Sequence, residues 1–271
     1  MTMHPFRLAV MACVLSLAAL PVRAGGLADI FSADLLPGWR TDSGSHMAAL
    51  RLRLADGWKT YWRAPGDAGI APEFDWGGSD NIRAVRFHWP RPSVFLSNGM
   101  QSIGYAQELI LPIEIWPDEP DAPIAVQAQV DLGVCRDICV PATVAVAASL
   151  PAARGAADPA IRAALKNRPL TAREAGVGRV ACTVAPLSDG VRLTAEIDLP
   201  PLGPGETAVI ETASRAIWVS EATTRRSGAR LVAEADLVAP GRKPFALDRS
   251  GITITLLSDR RAVEVAGCPG G

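Results

Sequence analysis

The sequence has little histidine, three residues in 271, and no surplus of either charge, with 27 basic side chains against 28 acidic ones. A near-balanced charge excludes a duplex nucleic-acid partner, which would call for a clustered basic surface. Beyond the first two dozen residues no apolar run approaches the ~18 residues of a membrane span. The G-x-S-x-G elbow, the glycine-rich phosphate loop and the His-Glu-x-x-His helix are all missing, which removes the common hydrolase, nucleotide and zinc-protease chemistries. His46 and His88 are the histidines outside the N-terminal segment, and they lack the ligand spacing of a closed Cys2His2 zinc site with distant cysteines. No cofactor or metal is therefore expected, the one soft-ligand alternative being copper(I) between two thiolates and Met100.

What the chain does have begins at its N-terminus. "MTMHPFRLAVMACVLSLAALPVRAGG" combines a basic residue at Arg7, an apolar core from Leu8 to Leu20 and a Val22-Arg23-Ala24 cleavage site. This is the form of a secretory signal peptide over residues 1–24, and it implies export into an oxidising compartment. A lipoprotein signal ending at Cys13 would need a longer apolar stretch before it. Removal of residues 1–24 takes Arg7 and Arg23 away and leaves a net charge of −3.

The remaining length exceeds the usual single domain of ~100–150 residues, so two domains are expected, over 25–152 and 153–271. Tryptophan marks the division: Trp39, Trp58, Trp62, Trp76, Trp89 and Trp116 precede residue 117, and Trp218 alone follows. Between the halves, Asp158 as N-cap and Pro159 at the first helical position predict one short helix over about 159–167. Elsewhere the apolar residues alternate with period two, as in Leu50-Leu52-Leu54, Leu109-Leu111-Ile113-Ile115 and Ile252-Ile254-Leu256, the pattern of half-buried strands. Short strands with turn signals between them predict an all-β protein of two immunoglobulin-like sandwiches, a single larger sandwich being the rival.

Four cysteines remain after residue 24, which allows three pairings. Local closure favours Cys135 with Cys139 in "DLGVCRDICVPATV", leaving Cys182 and Cys268 near the two ends of the second domain. The long closure is the structural one by loop entropy, worth ~4 kcal/mol, whereas a five-residue clip contributes much less. Strand parity places both Cys135 and Cys139 on the face away from the core. An outward pair that does little for stability suits thiol-disulfide exchange, which needs one reachable thiolate and a second thiol to resolve the mixed disulfide. Arg136 would favour a thiolate here and Asp137 would oppose it. The spacing is equally compatible with an inert hairpin clip.

Four blocks in order, "DGWKTYWRAPGDAGIAPEFDW", "NIRAVRFHWPRP", "SIGYAQELILPIEIWP" and "VCRDICVP", resemble the N-terminal periplasmic domain of the DsbD type, closest to the alpha region of the suppressor-of-copper-sensitivity B proteins. The resemblance covers most of residues 30–150; the second half is only loosely similar to the companion β-domain. It implies a periplasmic protein-disulfide reductase component, in the setting of cytochrome c biogenesis or copper tolerance, with Cys139 attacking and Cys135 resolving. It also implies Tyr61, Trp62 and Tyr105 as aromatic neighbours, and a loop from Val94 to Gln101 carrying Phe95 as a cap over the sulfurs. Without the resemblance, Trp58, Tyr61, Trp62 and Tyr105 read as core or sheet-surface packing, and Ala64 to Gly69 as a turn cluster. The implied partners are thioredoxin-fold proteins and a separate membrane electron-transfer protein, since no channel or thioredoxin-like domain follows in this sequence. The alternative is a non-catalytic adaptor, in a copper-handling context, with both disulfides inert.

Overall fold

A computed structural model describes residues 26–97 and 99–270; the expected signal peptide, with Cys13, lies outside the described residues. The first half forms ten strands: β1 (Phe31–Arg40), β2 (His46–Leu54), β3 (Lys59–Tyr61), β4 (Glu73–Asp75), β5 (Ala84–Phe87), β6 (Ser93–Ser97), β7 (Met100–Ala106), β8 (Glu108–Trp116), β9 (Ile124–Cys135) and β10 (Cys139–Leu150). They make two sheets, one ordered β1-β2-β8-β5 and the other β10-β9-β3-β7-β6 with β4 on β9. The second half gives β11 (Leu170–Thr171), β12 (Val180–Pro186), β13 (Val191–Asp198), β14 (Thr207–Glu211), β15 (Trp218–Val219), β16 (Thr223–Ser227), β17 (Arg230–Val238), β18 (Thr253–Leu257) and β19 (Ala262–Ala266). These also form two sheets, β11-β19-β18-β14 and β12-β13-β17-β15 with β16 on β17. The protein is all-β, with two immunoglobulin-like sandwiches, and among the described residues no helix is long and apolar enough to cross a membrane.

Period-two alternation explains each core. Leu50, Leu52, Leu109, Leu111 and Ile113 from one sheet meet Val126, Ala128, Val130, Leu132 and Val134 from the other, and all are buried. In the second sandwich, Leu193, Ile197, Leu231 and Leu237 pack on Ile254, Leu256, Val263 and Val265. Burying aliphatic side chains of this size contributes ~1.5–3 kcal/mol each before entropy is counted.

The connecting helix, α1 (Pro159–Lys166), forms as its cap predicts: the Asp158 carboxylate accepts hydrogen bonds from the amides of Ala160 and Ile161. It lies against the outer face of the first sandwich, where Ile161 packs fully buried with Leu36, Met47 and Ala49.

One sheet of the second sandwich is covered on both sides. Ile254 and Leu256 of β18 point into their own core, while Leu257 and Ala262 join the core of the first sandwich and Val209 packs against it. The same face carries Glu211 and Glu264, which grip Arg63 of the first half; Arg91 adds hydrogen bonds to the carbonyls of Ser258 and Asp259.

Candidate functional site

Strands β9 and β10 pair over twelve residues each and end with Cys135 directly opposite Cys139. Directly opposed residues of an antiparallel pair share a face and bring their Cβ atoms close, so two cysteines there can bridge with no rearrangement. They do: Cys135 and Cys139 form a disulfide with Cα atoms 4.1 Å apart, closed by the turn Arg136–Ile138, in which the Arg136 amide donates to the Ile138 carbonyl. The neighbouring strands extend the row, Cys135 pairing with Lys59 and Lys59 with Ala106.

The row beside it runs Pro141, Gly133, then Tyr61 on β3 and Gly104 on β7. Gly133 has no side chain where a Cβ would meet Ile70 at 2.8 Å and the Tyr61 ring at 3.2 Å, so its absence lets that ring lie against the sheet. The Tyr61 hydroxyl thereby reaches both sulfurs, 2.8 Å from Cys135 Sγ and 3.2 Å from Cys139 Sγ. It also lies 3.3 Å from the Ala68 carbonyl. Burial raises the Tyr61 pKa above its ordinary value, so the hydroxyl keeps its proton, and its capacity to donate, at neutral pH.

The two sulfurs do not share one environment, which corrects the expectation that both face outward. Cys139 is exposed, but Cys135 keeps only 1% of its surface. As strand alternation requires, Cys135 lies on the face of Gln127, Gln129 and Asp131, all exposed. What parity could not show is the segment after β3, which folds back across that outer face. Its backbone is tied to β7, the Trp62 amide donating to Ile103 and the Ile103 amide to Pro65. Gly66, at φ +79°, sits where a Cβ would come within 2.8 Å of the Gln101 carbonyl, and Ile70 closes over Gly133. The stretch Ala64 to Gly69, which reads as a turn cluster, therefore belongs to the cover.

The other predicted neighbours are placed differently. Trp62 is fully buried in the core, with Arg63 stacked on its ring at 4.4 Å. Tyr105 faces the core from β7, donates to the Pro90 carbonyl and stacks on Trp89. Neither is brought to the sulfurs. The predicted loop from Val94 to Gln101 is instead the β6-β7 hairpin, with Phe95 paired to Ser102. Phe95 lines a groove of about 410 Å³ with Trp58, Lys59, Leu96 and Arg136, so it borders the cysteine turn from the side. Lys59 Nζ sits 5.1 Å from the centre of the Phe95 ring, and Arg136 covers Trp58 while pairing with Asp137 at 3.0 Å.

Of the seven large apolar side chains exposed among the described residues, four come from segments around this site: Leu96 at 77%, Ile138 at 68%, Met100 at 55% and Ile70 at 38%. Scattered single exposures are ordinary, but a group drawn from three loops and hairpins around one reactive bond marks a contact surface. The histidines take no part: His46 is buried with its Nε2 on the Pro37 carbonyl, and His88 pairs with Glu114 on the other sheet. Among the described residues no group of three or more His, Cys, Asp and Glu is arranged to hold a metal.

The second disulfide joins Cys182 on β12 to Cys268, just after β19, and so ties the two sheets of the second sandwich together. Both cysteines are buried.

Residues 32–151 match the family described as thiol:disulfide interchange protein DsbD, N-terminal. Among solved structures, the chain is similar to the N-terminal periplasmic domain of ScsB from Proteus mirabilis, at 23% identity and a TM-score of 0.63, over 89% of this chain and 92% of that one. At that identity the likeness shows a common fold. No curated protein matches the chain.

Proposed function

We propose that this chain, whose first sandwich is of the DsbD N-terminal type, is a periplasmic thiol-disulfide exchange protein that relays reducing equivalents between thioredoxin-fold partners through Cys135 and Cys139. The observation that carries it is the asymmetry of the pair: an exposed Cys139 bonded to a buried Cys135, beneath one tyrosine hydroxyl and within a ring of exposed apolar side chains.

The chemistry follows from that asymmetry. An incoming thiolate reaches Cys139 Sγ and forms a new S–S bond with it; the Cys135–Cys139 bond breaks, and its electron pair leaves on Cys135 Sγ as a thiolate. The Tyr61 hydroxyl is already within hydrogen-bond distance of that sulfur and donates to the developing charge. A second thiolate on the partner then attacks its own sulfur in the mixed disulfide, releasing Cys139 as a thiolate that takes up a proton, and the pair is reduced as the partner is oxidised. Run backwards, reduced Cys139 attacks a disulfide in the next protein and Cys135 resolves the product. Tyr61 is thus a positioned donor to the leaving group, while the ring of apolar side chains supplies the docking contact.

Two measurements test this. The reduction potential of the Cys135–Cys139 pair, taken with Cys182–Cys268 left oxidised, is expected to lie above about −300 mV, where exchange with periplasmic partners is open. A value well below that belongs to an inert adaptor and overturns the proposal. Tyr61→Phe removes one hydrogen bond to a charged leaving group, a loss of order 1.5 kcal/mol, so reduction by a thioredoxin-fold dithiol is expected to slow about tenfold with the fold unchanged. Equal rates in stopped-flow would strip Tyr61 of its role.

A further inference from the structure

Among the described residues, Arg63 is the side chain that ties the cover over Cys135 to the second sandwich by hydrogen bonds. Arg63 follows Tyr61 by two residues, and from its place on the Trp62 ring it reaches across to the second sandwich. Its guanidinium makes a bidentate pair with Glu211, Nε to Oε1 at 2.9 Å and Nη2 to Oε2 at 2.9 Å, and reaches Glu264 Oε2 at 2.7 Å and Thr255 Oγ1 at 3.5 Å. The groups are partly buried at the seam between the sandwiches, where Leu257, Ala262 and Val209 also pack. Burial opposes the charge on Arg63, but the two carboxylates outweigh it and hold the guanidinium above its already high range.

The two carboxylates are placed for this task by register. Glu211 shares its face with Val209, and Glu264 pairs across the ladder with Thr255, so both project from the side of the sheet that looks at the first sandwich. Bidentate arginine pairs fix orientation as well as distance. Fixing Arg63 fixes the chain where it leaves β3, between Tyr61 on the sulfurs and the run Pro65–Ile70 that shields Cys135.

We propose that the second sandwich is a clamp on the redox site: Glu211 and Glu264 are positioning residues that, through Arg63, hold the Tyr61–Ile70 segment closed over Cys135 and so keep the resolving sulfur from stray thiols. Its purpose rests on the exchange role proposed above; its geometry does not. Releasing Arg63 leaves the turn Arg136–Ile138 and Cys139 untouched but loosens the cover.

The test uses the full mature chain with Cys135 and Cys139 reduced and Cys182–Cys268 oxidised, alkylated by iodoacetamide and read at each cysteine by mass spectrometry. In Glu211→Gln/Glu264→Gln, labelling of Cys135 is expected to rise about tenfold while that of Cys139 stays constant. Arg63→Lys, which keeps the charge and loses the fork, is expected to give a smaller rise. Asp198→Asn removes an arginine pair from the other sheet of the second sandwich and is expected to change neither cysteine. Unchanged Cys135 labelling in the double variant overturns the clamp, as does a rise shared by Cys139 or reproduced by Asp198→Asn, since either is general loosening. If the wild-type pair instead fails to exchange with any thioredoxin-fold dithiol, the exchange role falls while this labelling difference remains, so the two failures are told apart.

Discussion

Replacing Cys139 by alanine is expected to abolish exchange with a thioredoxin-fold dithiol or disulfide, whereas Cys135→Ala keeps the first half of the reaction and stalls as a mixed disulfide. The difference follows from access. Cys139 stands at the exposed end of β10 beside Ile138, which presents 68% of its surface, whereas Cys135 is shut under Tyr61 and the segment that ends at Ile70. A partner sulfur must approach along the S–S axis from the side of the sulfur it attacks, and only Cys139 offers that approach to a protein-sized nucleophile. With Cys135 gone, no thiol among the described residues lies within reach of the Cys139 mixed disulfide, because Cys182 and Cys268 are buried in the other sandwich and bonded to each other. The trapped species is therefore long-lived. Column capture from a periplasmic extract, followed by reduction and peptide mapping, is expected to return thioredoxin-fold proteins linked through Cys139. Capture by Cys135 in the Cys139→Ala protein, at a rate matching the converse variant, would reverse the assignment of roles and with it the meaning of the cover.

How much of this could be read from the sequence depends on how far apart in the chain the interacting groups are. Alternation such as Leu109-Leu111-Ile113-Ile115 is a local signal, because successive strand residues point to opposite faces, and β8 formed where the pattern lies. Asp158 and Pro159 state a helix start within two residues, and α1 begins there. The cysteine pairing was legible for the same reason, being closed within one hairpin. The parity of Cys135 was legible too, but its burial was not: that depends on a segment of β3's own exit folding over the sheet, a tertiary event to which alternation is blind. The β6-β7 hairpin has a local mark in "SNGM", whose Asn-Gly pair favours a tight turn, and Gly99 takes φ +79°. The contacts of Arg63 with Glu211 and Glu264 span 148 and 201 positions. A lone arginine after "TYW" carries no local mark of such partners, and two glutamates at outward parity in the second sandwich read as ordinary solvated strand charges. The run "ITITLL" held a hint, since Thr255 and Leu257 on the non-core parity are both buried, the composition of a strand covered on both faces.

Removing the second disulfide, as Cys182→Ala/Cys268→Ala, is expected to cost the largest share of stability of any change considered. The bridge closes 86 positions, for which chain entropy gives about 4–5 kcal/mol, with delivered values of about 2–5 kcal/mol. Domains of this size hold only ~5–15 kcal/mol in all. Breaking Cys135–Cys139 should cost less, because its ends belong to a hairpin whose strands stay paired along their length, and the loop it closes is short. The loss should also fall on one half of the molecule. Cys182 and Cys268 tie β12 to the chain just past β19, and the Cys182 amide donates to the Pro269 carbonyl, so the bridge and the tail pin the two sheets of the second sandwich at one edge. Trp218 is the sole tryptophan of that half and six tryptophans report on the other, so urea unfolding followed at Trp218 in a chain whose first-half tryptophans are replaced by phenylalanine where tolerated, and by circular dichroism in the intact chain, separates the two. The second sandwich is expected to melt first in the double variant, carrying Glu211 and Glu264 away from Arg63. Below its own unfolding midpoint the first sandwich should then show Cys135 labelling like that of the Glu211→Gln/Glu264→Gln protein. A double variant that unfolds in one transition, with a loss no greater than that from reducing Cys135–Cys139, would mean that the long bridge is not the staple its position implies.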